Sequence, residues 1–275
     1  MTTRHVTAPP GGWAPPWPLV VEVATALPVG SWILVGGLMV QLHARASGIV
    51  EVRPTHDVDA LVHVMAAGVS VVSIADLLVS RGFEVVEPGW PDAPVHRLRR
   101  SDDVIEILVA DHLPKRSRPR LHRHPVMPAD GGAQALTRTE RVTIDDDGQT
   151  VELTVPDLLG ALVLKGAAHM VDLRDPERHL RDAALLASLV TDHRHELTRL
   201  HGSDRKRLRH LRDALSDPFD DAWLLLADDA PPRAGHPSDP VGVNERFSRG
   251  PHHAAGNASG SKGCTHWTIA SSSPP

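Results

Sequence analysis

The sequence predicts an α/β protein: a mixed sheet with flanking helices, followed by a helical C-terminal half. Two observations carry this. Short apolar, β-branched runs bounded by turn residues dominate before Thr154. Apolar residues at helical spacing dominate after it. The 275 residues are 41% apolar and 23% charged, an ordinary globular balance with enough chain for a sizeable core.

Residues 1–18 are rich in Pro and Gly and are expected to form an irregular arm. "PLVVEVATAL" (18–27) reads as a short helix, and "GSWILVGG" (30–37) as a buried strand ending in two glycines. "LMVQLHARAS" (38–47) suits a helix packed on one face, stopped by Gly48. Residues 56–64 read as a strand, and "SVVSIADLLVSRG" (70–82) as an amphipathic helix with Gly82 as its stop. "FEVVE", "VHRLRR" and "VIEILVA" are three strands, the last two joined through "SDD". "RVTIDDDGQTVELTV" is a second hairpin turning at "DDDG". Thr154-Val-Pro-Asp157 reads as a capping box opening a helix over about 156–171, and Asp175-Pro176-Glu177 opens another to about 192. A helix over 204–217 carries leucines inward and a basic outer face. The expected organisation is a core over 20–150, a helical domain over 151–229 and a tail over 230–275 whose composition supports no packed structure.

Composition narrows the function. A net charge of -5 provides no global basic field, so nucleic acid must be met through local patches. The basic stretches 115–123 and 205–212 are the candidates; neither is interleaved with aromatics. The single cysteine, Cys264, excludes a disulfide framework and a cysteine-type zinc set, which fits a cytoplasmic protein. The N-terminus lacks the apolar segment of a signal peptide, and no apolar run is long enough for a membrane span. The 18 histidines show no coherent ligand spacing.

"RPTHDVDALV" (53–62) places Asp57 and Asp59 two apart in an apolar run. On a strand such residues share a face, roughly 7 Å apart along the chain. Two unpaired carboxylates beside a low-dielectric core repel and lose hydration. Two readings stand: a solvated strand end, or a site for a hard divalent cation such as Mg2+ or Mn2+. Gly36-Gly37 stands between the preceding strand and helix. It is either a tight turn or a backbone that lets a phosphate approach a helix N-terminus.

"VGGLMVQLHA…RPTHDVDALV" resembles the nucleotidyltransferase superfamily, whose pattern is a Gly-Gly or Gly-Ser turn, a helix and then D-x-D. Within it the sequence resembles the AbiEii-type toxins of bacterial toxin–antitoxin pairs, which include the MenT relatives. The resemblance spans roughly residues 30–190. It implies a nucleotidyltransferase-like fold and transfer of a nucleotide from an NTP to an RNA acceptor such as a tRNA 3′ end, with a cognate antitoxin as partner. Residue by residue, it places Gly36 and Gly37 at the triphosphate and Thr55 two before the first metal-binding acid. Asp57 and Asp59 become the metal-binding pair, and Lys165 the lysine that holds the nucleotide phosphates. Asp182, in "RHLRDAALL" (178–186), falls near the active site, with Arg178 and His179 as neighbours. The superfamily's third carboxylate has Glu106 in "VIEIL" as its candidate; the alternative is an outward-facing residue on an edge strand.

Lys165 lies among the apolar residues of "ALVLKGAAHM", away from any charged face, and a charge there wants a partner. Arg178, four residues before Asp182, is an alternative partner for that acid. Two other functions fit the same pattern. One is nucleotidyl transfer to a small hydroxylated molecule such as an aminoglycoside. The other is a non-catalytic domain that binds nucleotide or a partner.

Overall fold

The computed structural model describes residues 3–49, 52–90, 92–146 and 148–227, so the 230–275 tail lies outside the described residues. Strand β1 (Arg4–Val6) corrects the expected irregular arm: it pairs in parallel with residues 142–144. Trp13, Pro16 and Trp17 are also buried. The Trp13 and Trp17 rings lie 4.6 Å apart, and Trp17 Nε1 donates to Gln41 Oε1 at 3.0 Å. Burying these two indoles outweighs the local irregularity of a Pro/Gly-rich stretch.

Helix α1 (Trp17–Ala26) leads to β2 (Trp32–Leu34), α2 (Gly36–Ala46) and β3 (Asp57–Val62). Then come α3 (Val71–Val79), β4 (Glu84–Val85), β5 (Arg97–Arg100) and β6 (Asp103–Ala110). A small hairpin, β7 (Arg120–Leu121) with β8 (His124–Pro125), precedes β9 (Pro128–Ala129) and α4 (Gly132–Leu136). The main sheet runs β2-β3-β6-β5-β4, with β9 added beside the end of β6. Only β3–β6 and β6–β9 are parallel pairs, so the sheet is mixed as expected.

The second sheet is β1-β10-β11, built on the hairpin of β10 (Thr139–Asp146) and β11 (Gln149–Pro156). Because β11 runs unbroken to Pro156, the division drawn at residue 150/151 falls inside a strand. It also takes up Thr154, so the expected capping box does not form. Asp157 is instead the N-cap of α5 (Leu158–Val171), accepting from Gly160 N at 2.9 Å. Asp175 caps α6 (Pro176–Leu189) as predicted. That helix stops short of residue 192, since Asp192 caps a separate α7 (His193–Thr198). Helices α8 (Asp204–Ala214) and α9 (Asp221–Ala227) complete the helical half.

Helix α5 packs on α6 and α8, and α2 packs on α6, which lays the helical half against the strand-rich half. Buried ion pairs cross this contact. Arg138, at the foot of the hairpin, donates to Asp204 Oδ2 at 2.5 Å, with side-chain exposures of 5% and 0%. Arg207 of α8 pairs with Asp111 at 3.3 Å, and Asp111 also accepts the backbone N–H groups of Gly131 and Ala133. The 205–212 stretch is therefore not a uniformly basic face: Arg207 turns inward. No helix among the described residues is long and apolar enough to cross a membrane.

Removing one partner of a buried ion pair strands the other, at a cost of about 3–5 kcal/mol. Arg138→Ala and Asp204→Ala should each lose about that much in urea unfolding. The double variant should lose clearly less than the sum, because one loss already exposes the defect that the other creates. Additive losses would show that the two residues do not act as a pair.

Candidate functional site

Strand period and register assemble the site. Asp57 and Asp59 share a face of β3 by the two-residue repeat. In the parallel β3–β6 ladder, Asp59 lies directly beside Glu106. One carboxylate oxygen from each of Asp57, Asp59 and Glu106 lies within 4.8 Å of the others. Glu106 is thus not an outward edge residue, because β6 is interior to the sheet, between β3 and β5.

The electrostatic cost is visible at Asp59. Burial, then the charges of Asp57 and Glu106, raise its pKa from 3.8 to about 7, against an opposing pull from Lys165 and Arg178. The other two acids are held by donors. Thr55 Oγ1 donates to Asp57 Oδ1 at 2.8 Å. Arg97 Nη2 donates to Glu106 Oε1 at 2.6 Å, with His96 Nε2 3.7 Å from the same oxygen. Three hard oxygen donors converging on one point fit Mg2+ or Mn2+ by the chemistry of the set.

The Gly-Gly turn closes on the same strand. Gly36 has φ +71, and a Cβ there would fall 1.7 Å from Asp59 Oδ2. A Cβ on Gly37 would meet the Thr55 side chain at 2.9 Å. Val35 N donates to Asp59 O at 3.0 Å, which fixes the turn over the acid pair. Glycine is required at 36 twice over, by backbone conformation and by the approach of a carboxylate.

Lys165 and Asp182 meet between α5 and α6, with Lys165 Nζ 2.7 Å from Asp182 Oδ2 and side-chain exposures of only 6% and 5%. Arg53 completes the group, its Nε and Nη2 each donating to the same carboxylate at 3.3 Å. Burial alone would raise the Asp182 pKa, but Lys165 and Arg53 hold it below the ordinary value. Arg178 is not its partner; it turns instead to Asp172 at 2.9 Å. His179 also bonds Asp172, and burial with the nearby Lys165 charge lowers its pKa to about 4, so it is neutral at pH 7. Beside this group lies a cleft of about 380 Å³, whose wall includes Gly37, Gln41, Arg53, Asp182 and Leu185.

The sequence-predicted residues therefore fall into two adjoining groups. Gly36, Gly37, Thr55, Asp57, Asp59 and Glu106 gather on the sheet. Lys165 joins Asp182, and its charge is felt at Asp59. Arg53 and Arg97 were not foreseen. Arg53 stands two before Thr55, and "VHRLRR" alternates, but neither pattern names the acid that each arginine meets.

No protein-family model matches the sequence, and no curated protein matches it. Among solved structures, the chain is similar to an antigenic nucleotidyltransferase-like protein from Paracoccidioides brasiliensis. The two are 19% identical, with a TM-score of 0.46, over 75% of this chain and 91% of that one.

The folded Asp59 carboxyl titrates near 7 and its ordinary value is 3.8, so folding favours its protonated form. That stabilising contribution is complete below about 3.8 and is lost as pH rises through about 7. In metal-free buffer Asp59→Asn should gain stability relative to wild type across this window, reaching several degrees in melting temperature at the alkaline end. A gap independent of pH would show that the acids do not repel as described. Mg2+ or Mn2+ should raise the wild-type melting temperature at pH 8 and leave Asp59→Asn nearly unmoved.

Proposed function

We propose that the chain is a metal-dependent nucleotidyltransferase of the toxin–antitoxin type, moving a nucleotide from an NTP to an RNA acceptor such as a tRNA 3′ end. The observation that carries the reading is the convergence of Asp57, Asp59 and Glu106 beneath the Gly36-Gly37 turn. Neither turn residue carries a side chain, so the turn itself places no side-chain atom against the acids it packs on.

Asp57 and Asp59 would hold Mg2+ or Mn2+, with Glu106 as the third ligand. The bound ion would neutralise phosphate charge and steady the attacking and leaving oxygens. Lys165 binds the triphosphate: an ammonium has three donors, and Asp182 needs only one of them. Asp182, kept ionised by Arg53 and Lys165, aims that ammonium. The adjoining cleft has room for the nucleoside part of the NTP. The acceptor hydroxyl oxygen bonds to the α-phosphorus, the bond to the bridging oxygen breaks, and pyrophosphate leaves. The hydroxyl proton passes to one of the triad carboxylates. Catalysis of this kind asks mainly for positioning and charge neutralisation.

The exposed basic stretch 115–123 supports a polyanionic acceptor, and α8 adds Arg205, Lys206 and Arg209 from its outer side. The antitoxin partner rests on the resemblance, and a cytoplasmic setting on the single cysteine.

Incubation with each radiolabelled NTP and total tRNA tests the reading. Label should enter RNA in the presence of Mg2+. Asp57→Asn should lower transfer by about a hundredfold or more, an effect of the size seen when charge stabilisation is removed. Lys165→Ala should mainly raise the KM for NTP, since the lost charge meets phosphate and not the acceptor. Lys165→Arg should not rescue it, because a planar fork does not replace a compact ammonium in a buried pair. Full activity in Asp57→Asn would end the metal-site reading. Labelling of an aminoglycoside in place of RNA would move the acceptor to a small molecule.

A further inference from the structure

Trp90 is the one fully exposed tryptophan among the described residues. It is 77% exposed, while Trp13, Trp17 and Trp32 are 8% exposed or less and Trp223 is half-buried. It sits on the loop between β4 and β5, and that loop is pinned to the β7–β8 hairpin on either side of it. Glu87 bonds His122 at 3.0 Å, and the carbonyl of Ala93 meets His124 Nδ1 at 3.2 Å. Further on, Val95 N donates to Pro125 O at 2.8 Å, and Met127 N donates to Val95 O at 3.0 Å.

The basic stretch singled out in the sequence, 115–123, leads into the hairpin and supplies its first strand and tip. Lys115, Arg116, Arg118, Arg120 and Arg123 are all exposed, and none is in an ion pair among the described residues. Its turn residues His122 and Arg123 both have positive φ, 46° and 73°, the tight geometry that holds a two-residue hairpin tip in one shape. Leu121 is buried and the β7 strand packs on α3, so the scaffold is fixed while the cations face water. The loop contributes two acids, Glu87 and Asp92, of which Glu87 is already occupied by His122.

An exposed indole costs hydration and adds nothing to this core, and the five cations meet no acid among the described residues, Arg118 and Arg120 donating only to the carbonyls of Leu113 and Arg123. One remedy serves both, a polymer that brings phosphates at regular spacing together with unstacked aromatic faces. Single-stranded nucleic acid has this chemistry: bases stack on aromatic side chains while the backbone follows the cations. A duplex keeps its bases stacked internally and cannot use Trp90 in this way.

We propose that the Trp90 loop, the β7–β8 hairpin and the basic segment leading into it form one docking surface for single-stranded RNA, with a base stacked on Trp90 and the backbone on Arg116, Arg118, Arg120 and Arg123. The foot of the hairpin lies near the arginine on Glu106 along the chain. Val95, which bridges to Val126 at the foot of the hairpin, stands two residues before Arg97, the arginine on Glu106. Two strand residues span about 7 Å. The inference deepens the acceptor half of the proposed reaction and rests on that reading for the use made of the bound RNA.

Binding is measured on the full chain by fluorescence anisotropy, using a labelled mixed-sequence single-stranded oligoribonucleotide, without NTP. The wild type should bind it, and an RNA duplex of equal length more weakly. Trp90→Ala should lose about tenfold in affinity for the single strand and little for the duplex. The Arg120→Ala/Arg123→Ala pair should lose affinity for both and lower the salt slope by about two. Lys115→Ala/Arg116→Ala, outside the hairpin, guards against misfolding and should act in the same direction. Equal affinity of wild type and Trp90→Ala for the single strand, or no binding by the wild type, overturns the inference. Binding equal to that of heparin and indifferent to Trp90 would reduce the surface to charge alone and overturns it as well. Nucleotide transfer to tRNA that is untouched by Trp90→Ala in acceptor KM sinks this surface and spares the proposed reaction. Trp90-dependent binding without any transfer does the reverse.

Discussion

The rest of the site is arranged around three carboxylates that the sheet backbone holds together. The β3–β6 ladder sets Asp59 beside Glu106, and the pleat sets Asp57 on the same face. Backbone hydrogen bonds on both sides of β3 hold that register, so repulsion among the acids has no backbone motion to relieve it. Burial first, and then that repulsion, raise the proton affinity of Asp59. The neighbouring groups answer to it: a hydroxyl on Asp57, a guanidinium on Glu106, and the more distant charges of Lys165 and Arg178 acting on Asp59. The Gly36-Gly37 turn adds no charge, and its missing Cβ atoms let Asp59 and Thr55 pack directly against it.

Lys165 belongs to a different element, and its position depends on how α5 is anchored. Asp157 caps that helix directly from the end of β11, so there is no slack between sheet and helix. Gly166, next to Lys165, lets α8 approach so closely that a Cβ there would lie 3.0 Å from the Arg207 carbonyl oxygen. The same α8 is tied to the strand-rich half by Asp204–Arg138 and Arg207–Asp111. Buried ion pairs of this sort contribute less to net stability than their distances suggest, because desolvation offsets the attraction. Their directionality is what serves here, since apolar contacts alone would let α8 and α5 slide. Arg53 extends the principle into the site, running from the segment ahead of β3 to Asp182 on α6. One carboxylate thereby links the acid strand to both helices.

Much of this was legible in the sequence because it is local. Period-two and helical spacing located the strands and helices, and the D-x-D repeat alone required Asp57 and Asp59 to share a face. Gly36-Gly37 announced a close approach, and Lys165 among apolar neighbours announced a hidden partner. Long-range pairing carries no local signature, and several of the misreadings lie there. The N-terminal arm became a strand only because β10 was there to accept it. Thr154 was drawn into β11, leaving Asp157 as the cap. Arg207 left the basic face because Asp111 waited in the core.

What the sequence by itself determined, then, is the set of chemical groups and their local spacing: the acid pair, the glycine turn, the helical lysine and the basic stretch. Only the tertiary structure decided which of them meet. Glu106 joined the acids by the register of β3 on β6, and Asp182 took Lys165 and Arg53 in place of Arg178. Trp90 came to the basic hairpin through hydrogen bonds that join residues some thirty apart in the chain. The physical reason is common to all three. Side-chain direction follows from backbone periodicity, which is written locally, whereas register and packing follow from which surfaces exclude water together, a property of the whole chain.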